Sequence, residues 1–141
     1  MSVPESVPLG SLRVLEESRE REKTQTMYYR VLAADAAAGE DAEATERLND
    51  LHADEQHHLS RLTARVLELG HVPRDLSALA VSAGELDGWE EEAREREAEE
   101  VRWYEAVTGL DLDEATLVVL GEILVSERHH LRDLRGKWMS A

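Results

Sequence analysis

The sequence contains one motif twice: Glu55-Gln56-His57-His58-Leu59 returns as Glu127-Arg128-His129-His130-Leu131. A second repeat lies upstream of each copy, because the tetrapeptide Arg-Glu-Arg-Glu occupies both 19–22 and 94–97. The first repeat has an offset of 72 residues and the second an offset of 75, which indicates a shorter turn in the second copy. The sequence therefore predicts one helical hairpin present twice, and two such hairpins pair into a four-helix bundle.

Boundary signals for helices surround these motifs. Pro8 and Gly10 precede Ser11, which is a plausible N-cap, and Gly39 is a plausible C-terminal stop. The predicted helices run from about Ser11 to Ala38, Asp41 to Leu69, Asp87 to Val107 and Asp113 to Trp138, the last with Asp111 or Asp113 as its cap. Short turns after the first and third helices make each pair antiparallel neighbours.

The stretch 70–86 reads as a long crossover with room for one short helical turn. The predicted fold class is thus all-α: a four-helix bundle of two antiparallel helical hairpins joined by a long crossover. Residues 1–141 form one domain, since 141 residues lie near the commonest domain size and can bury a real core.

Each predicted helix has an apolar stripe at 3–4 spacing that glutamate interrupts near its middle. The interrupting residues are Glu22, Glu55, Glu97 and Glu127. At a rise of about 1.5 Å per residue, the four glutamates fall at one level of the bundle. A buried carboxylate costs several kcal/mol unless something compensates its charge, so this layer indicates a bound cation.

Two of these glutamates belong to Glu-x-x-His, which places a carboxylate and an imidazole one turn apart on the same helix face. Two such helices and one glutamate from each of the others form the di-iron or di-manganese site of bundle proteins. The predicted metal ligands are Glu22, Glu55, His58, Glu97, Glu127 and His130. Glu55 and Glu127 would bridge two metals, and the pattern leaves open which of the other ligands share an ion.

Tyrosines accompany the single glutamates, because Tyr29 and Tyr104 lie two turns along the same faces as Glu22 and Glu97. They are placed to donate hydrogen bonds that orient the carboxylates. The neighbouring His57 and His129 lie about 100° around their helices and are expected to flank the site or to be exposed. Arg19 and Arg94, almost one turn before the single glutamates, are expected either to form salt bridges near the site or to be exposed.

The order Glu, Glu-x-x-His, Glu, Glu-x-x-His on four helices resembles the ferritin-like superfamily, and rubrerythrins most closely. Glu22 followed by Tyr29 is similar to helix 1 of rubrerythrins, and Glu100 matches their additional carboxylate on helix 3, where helix 1 has Gln25. The resemblance implies two iron ions (or manganese), with Glu100 as a further ligand and catalytic group.

The resemblance further implies reduction of hydrogen peroxide or oxygen. The chain has no cysteine and so departs from the family in lacking a rubredoxin domain. A separate protein would have to donate the electrons, and we expect a homodimer.

Composition limits the partners. Against 16 Lys and Arg stand 31 Asp and Glu, and the net charge of -15 argues against nucleic acid and anionic membranes. The longest apolar run, Leu117 to Leu120, is too short to span a membrane, and no targeting signal is visible at the N-terminus. We therefore expect a cytoplasmic protein.

Two other functions fit the same residues. One is ferroxidase chemistry in an iron-storage or shell-associated ferritin-like protein. The other is a non-enzymatic dimerising helical bundle whose glutamates are merely solvated. Metal content separates the last from the others.

Overall fold

The computed structural model describes residues 3–80 and 84–139, and the side chains of residues 10–80 and 84–134. Four helices account for most of this part of the chain, and none of its residues is in a strand. The helices are α1 (Val3–Ala38), α2 (Ala42–Glu68), α3 (Trp89–Val107) and α4 (Glu114–Met139). The prediction of an all-α chain with four helices is confirmed. No helix in the described residues is long and apolar enough to cross a membrane.

The start of α1 differs from the prediction, because the helix begins at Val3 and passes through Ser11. Ser11 is not an N-cap: its side chain is fully buried and its hydroxyl donates a hydrogen bond to the carboxylate of Asp113. The second oxygen of Asp113 accepts a hydrogen bond from the backbone N–H of Thr116 at 3.0 Å, which caps α4. Ser11 therefore anchors the helix by a tertiary contact, which local cap signals do not reveal.

The turn between α1 and α2 is tight, as predicted. The backbone N–H of Gly39 donates to Asp35 at 3.0 Å and that of Asp41 to Ala36 at 2.9 Å, so the last turn of α1 is closed. Glu40 adopts a left-handed conformation with a φ of 59°. The side chain of Asp41 accepts a hydrogen bond from the N–H of Ala44 at 3.1 Å and caps α2. The chain thus reverses within a few residues, which makes α1 and α2 an antiparallel hairpin.

The chain divides into two compact units, Leu15–Asp87 and Met1–Val14 with Gly88–Ala141. In the first, the core includes fully buried leucines of α1 and α2, namely Leu15, Leu32, Leu48 and Leu62. In the second, Ala93 and Tyr104 of α3 are buried, together with Leu120 and Ile123 of α4. Each buried leucine or isoleucine contributes about 1.5–3 kcal/mol to folding. That residues 1–141 form a single domain stays a prediction.

The crossover from α2 to α3 is irregular in the residues described. It begins at Gly70, whose φ of 86° only glycine adopts without strain. The expected short helical turn is limited there to one hydrogen-bonded turn, from the N–H of Leu79 to the carbonyl of Leu76 at 3.2 Å; residues 81–83 lie outside the described residues. The crossover is fixed to α1 by Arg74, whose N–H donates to Glu16 at 3.0 Å.

Candidate metal centre

The unit Leu15–Asp87 contains one cluster of predicted ligands. Glu22 comes from α1, whereas Glu55 and His58 come from successive turns of α2. Both glutamates are 0% exposed and His58 is 4% exposed. Nδ1 of His58 lies 3.0 Å from Oε1 of Glu55 and 3.4 Å from Oε1 of Glu22. One ligand atom from each of the three lies within 4.8 Å of the others.

The second unit contains the repeated cluster. Glu97 comes from α3, and Glu127 and His130 come from α4. Both glutamates are again fully buried, and His130 is 7% exposed. Nδ1 of His130 lies 3.0 Å from Oε1 of Glu127 and 3.3 Å from Oε1 of Glu97. The ligand atoms of these three also lie within 4.8 Å of one another.

The electrostatics of the second cluster are strongly perturbed. Burial by itself lowers the pKa of His130, but hydrogen bonds and the charges of Glu127 and Glu97 oppose it and raise the pKa to about 11. Without a metal, the imidazolium of His130 thus partly neutralises the two carboxylates. A metal ion bound here replaces that proton as the compensating charge, because only the neutral imidazole is a ligand.

The donor sets fit a transition-metal ion. Each cluster offers two carboxylates and one imidazole in a buried setting, and these oxygen and nitrogen donors suit iron and manganese. Two buried carboxylates without a counter-charge would each destabilise the fold by roughly several kcal/mol. A bound divalent cation would remove this cost by compensating their charge. Among the described residues, every group of three or more such ligands within this distance draws on these six side chains.

The other predicted site residues are buried as well. Tyr29 and Tyr104 are both fully buried, on α1 and α3. Glu100 is 6% exposed and its counterpart Gln25 is 2% exposed. Glu100 is not a member of either group of clustered ligand atoms, so its role as a ligand stays a prediction.

The histidines adjacent to the ligands lie where the helix geometry predicts. His57 and His129 are both exposed. His129 contacts the guanidinium of Arg132 on the surface of α4. Neither residue takes part in a ligand cluster among the described side chains, as their position about 100° away from the ligands implies.

A buried ion pair lies below the first cluster, which confirms the salt-bridge alternative for Arg19, although its burial was not predicted. Arg19 is 7% exposed, and its Nη1 donates to Oε1 of Glu16 at 2.5 Å. Its Nε donates to the hydroxyl of Thr63 at 2.9 Å, which joins α1 to α2. The Glu-x-x-Arg spacing is a signal for this pair. The burial follows from the crossover, whose Arg74 carbonyl accepts from Arg19 at 3.1 Å.

A third buried tyrosine was also not predicted. Tyr28 is 1% exposed, and its ring meets that of Tyr29 edge to face with centroids 5.3 Å apart. Adjacent residues on one helix cannot share a single stripe, so α1 buries a broader face than its pattern indicated.

The chain matches no protein-family model and no curated protein. The solved structures that are similar to it include two bacterioferritins that match nearly its whole length. One is the bacterioferritin of Desulfovibrio desulfuricans, described with its diiron site in different catalytic states, with a TM-score of 0.85 and 19% identity over 96% of this chain and 82% of that chain. The other is the Mycobacterium tuberculosis bacterioferritin BfrA, with a TM-score of 0.82 and 20% identity over 92% of this chain and 84% of that chain.

At this level of identity the likeness shows the fold alone, and the fold is the one predicted. The similar structures are bacterioferritins, whereas the rubrerythrin subtype finds no support among them. The chain therefore has the ferritin-like fold: a four-helix bundle of two antiparallel hairpins joined by a long crossover.

Proposed function

We propose that this protein is a ferritin-like di-iron oxidoreductase that oxidises ferrous iron, as a ferroxidase. The observation that carries the proposal is the duplicated cluster of two buried glutamates and one histidine. Support for iron as the metal comes from the similar bacterioferritin described with a diiron site.

In this proposal the six clustered residues hold two iron ions. Glu55 and Glu127 would be shared between the two ions, and the remaining residues would each serve one ion: Glu22, His58, Glu97 and His130. The fold likeness supports this assignment, because a ferritin-like bundle directs one glutamate or one Glu-x-x-His from each helix inward. The four clustered carboxylates balance the charge of two ferrous ions, so these ligands and the two ions together are neutral.

The chain supplies binding sites and charge balance for the reaction. Two ferrous ions each give up one electron, and oxygen takes both electrons with two protons to form hydrogen peroxide. If peroxide is the oxidant, the same two electrons and two protons produce two water molecules. The buried glutamates stabilise the ferric products, because carboxylates favour the higher charge. Tyr29 and Tyr104, fully buried, are proposed to orient those glutamates by hydrogen bonding.

A rubrerythrin-like peroxidase is the second candidate, and one observation favours it. Glu100 adds a buried carboxylate to the second hairpin, at a position where the first has the neutral Gln25. An additional carboxylate near two metals can exchange as a ligand when the metals change charge. In this alternative a separate protein returns the electrons, and peroxide is the substrate.

Metal analysis and oxidation kinetics of the purified protein test the proposal. We expect about two iron ions per chain, and their loss in Glu127→Ala. Glu95→Ala, an exposed glutamate of α3, is the matched control and should retain both ions. A wild-type protein that binds no iron, or an equal loss in both variants, contradicts the proposal and favours a non-enzymatic bundle.

Stopped-flow mixing of the ferrous protein with oxygen or peroxide distinguishes the two reactions. A ferroxidase gives comparable rates with the two oxidants and accumulates ferric mineral. Oxidation by peroxide that is at least about tenfold faster, a difference of about 1.4 kcal/mol in the barrier, favours the peroxidase.

Assembly and location are proposals of the same kind. We propose that the protein is a cytoplasmic oligomer. The size of this oligomer distinguishes the two candidate functions, because iron storage requires a closed shell, whereas a peroxidase functions as the homodimer expected from the sequence. Light scattering of the iron-loaded protein in solution separates a dimer from a shell.

A further inference from the structure

The unit Leu15–Asp87 contains a surface pocket that the proposed metal chemistry does not use. Its volume is about 560 Å³, and α1, α2 and the crossover all contribute to its wall. The contributions of α1 are Arg19 and Lys23, and the crossover contributes Arg74 and Asp75. The pocket is thus built from three separate segments of the chain.

Basic side chains predominate among the charged residues that line the pocket, whereas acidic residues predominate in the whole protein. Three basic side chains and one acidic side chain, Asp75, line it. The chain as a whole has 31 acidic against 16 basic residues. The backbone N–H and the side chain of Ser77 donate hydrogen bonds to the carboxylate of Asp75 and lower its pKa. This carboxylate is therefore charged, and its oxygens already accept hydrogen bonds from Ser77. Because Glu16 and Glu20 pair with Arg19 and Arg74 behind the wall, Lys23 is the lining cation that forms no ion pair with a described residue, and its charge favours an anion.

The three cations differ in how their donors are used. Arg19 donates through Nε to Thr63 and through Nη1 to Glu16 and to the carbonyl of Arg74. Nη2 of Arg19 makes no hydrogen bond to any residue that the structure describes. The guanidinium is therefore held rigidly while one of its nitrogens keeps its donors for a ligand.

Lys23 lies one helical turn after Arg19 and forms no ion pair with a described residue. The exposed side chains of Gln56 and Ser60 on α2 add a neutral amide and a hydroxyl to the wall. Arg74 is held at the rim by Glu20, with Nη2 2.6 Å from Oε2. Neither Glu20 nor Glu16, which fix the two arginines, lines the pocket, so Asp75 is the one carboxylate among the described residues of its wall.

The duplicated sequence offers an internal comparison. The position of Lys23 corresponds to Ala98 in the second hairpin, and those of Gln56 and Ser60 correspond to Arg128 and Arg132. The donor arrangement is therefore specific to the first hairpin and is not a by-product of the repeated metal motif.

We propose that this pocket binds a small oxyanion, a phosphate or a carboxylate, between Lys23, the Nη2 group of Arg19 and the polar side chains of α2. A guanidinium, an ammonium and a hydroxyl are the donors that such anions prefer. The inference does not depend on the proposed metal chemistry, because the pocket and the ligand clusters use different side chains.

Titration of the metal-free protein with inorganic phosphate or citrate, followed by amide chemical shifts, tests this inference. We expect saturable shifts around Lys23 and Ser60 with at least one of the two anions, and the anion that binds more tightly identifies the class. Lys23→Gln should weaken binding about tenfold, whereas Lys23→Arg should change it less than about threefold.

Arg128→Gln is the matched control, because Arg128 is an exposed cation paired with Glu105 at 3.0 Å in the other unit. It should leave the affinity unchanged. An equal weakening in Lys23→Gln and Arg128→Gln would mean general screening of charge and would overturn the proposal. So would linear shifts without saturation, or binding that Lys23→Gln does not alter.

Discussion

The two hairpins contain the same metal motif in different surroundings. In each unit a histidine Nδ1 lies 3.0 Å from the glutamate one turn before it and 3.3–3.4 Å from the single glutamate. The layer one turn below differs, although its sequence is also repeated. Glu16 and Arg19 form a buried ion pair in the first unit, whereas their counterparts Glu91 and Arg94 are exposed and half-buried. The sequence repeat therefore determines the metal ligands. The crossover determines whether the glutamate and arginine one turn below them are buried.

A second difference lies next to the clusters themselves. Gln25 and Glu100 occupy equivalent buried positions, so the second hairpin has one more potential negative charge than the first. Tyr29 and Tyr104, at the next turn, are buried alike. The difference in charge next to the clusters thus lies in one buried side chain, where a swap of residues can test it.

The largest expected effect tests the equivalence of the two clusters. Glu22→Ala and Glu97→Ala should each lower the iron content from about two ions per chain to about one, because each removes a terminal ligand of one ion. Elemental analysis after dialysis measures this loss. If one of the two variants keeps both ions while the other loses both, the clusters are not equivalent and the proposed sharing of ligands is wrong.

The buried ion pair gives the next largest effect, on stability. Arg19→Ala leaves the carboxylate of Glu16 buried without its partner, which should lower the free energy of unfolding by about 3 kcal/mol. Arg94→Ala should cost less than about 1 kcal/mol, because the residue is half-buried and its buried Nε has no hydrogen-bond partner among the described residues. Urea denaturation of both variants checks the difference, and equal losses would contradict the role given to the crossover.

Exchange of the asymmetric pair sharpens the choice of reaction. If Glu100 takes part in peroxide chemistry, Glu100→Gln should slow oxidation by peroxide about tenfold and leave oxidation by oxygen within a factor of two, roughly. The reciprocal Gln25→Glu serves as the control for added charge. Equal rates in wild type and Glu100→Gln with both oxidants would assign Glu100 a structural role.

The smallest effect concerns a histidine outside the clusters. Burial, and secondly the charge of Arg30, lower the pKa of His52 below 6.5. The unfolded chain binds this proton more readily, so the free energy of unfolding should fall as the pH decreases from 6.5 through the lower pKa of the folded state. Arg30→Gln should raise the pKa only part of the way, because burial is the larger cause. An NMR titration of the ring measures it, and an unchanged pKa would exclude Arg30 as a cause.

Much of the fold followed from the sequence, because its signals are local. The stop at Gly39 and the Glu-x-x-His pairs depend on residues within one helical turn; in the structure α1 ends at Ala38, and each histidine lies 3.0 Å from the glutamate before it. The predicted start of α1 at Ser11 was wrong, because the Ser11 side chain hydrogen-bonds to Asp113 and does not cap its own helix. The burial of Arg19 likewise depends on Arg74, and no pattern within α1 reveals a contact that the crossover makes.

The contact between Ser11 and Asp113 has a consequence for synthesis of the chain. The first fourteen residues belong to the unit that otherwise begins at Gly88, although they are continuous with the helix that starts the other unit. The partner of Ser11 is 102 residues further along, so it leaves the ribosome long after α1 does. The buried hydroxyl of Ser11 can therefore form its hydrogen bond only after the residues that begin α4 have been synthesised. A break in the crossover would not produce two self-sufficient halves, because the segment of α1 before Leu15 belongs to the unit that contains α3 and α4.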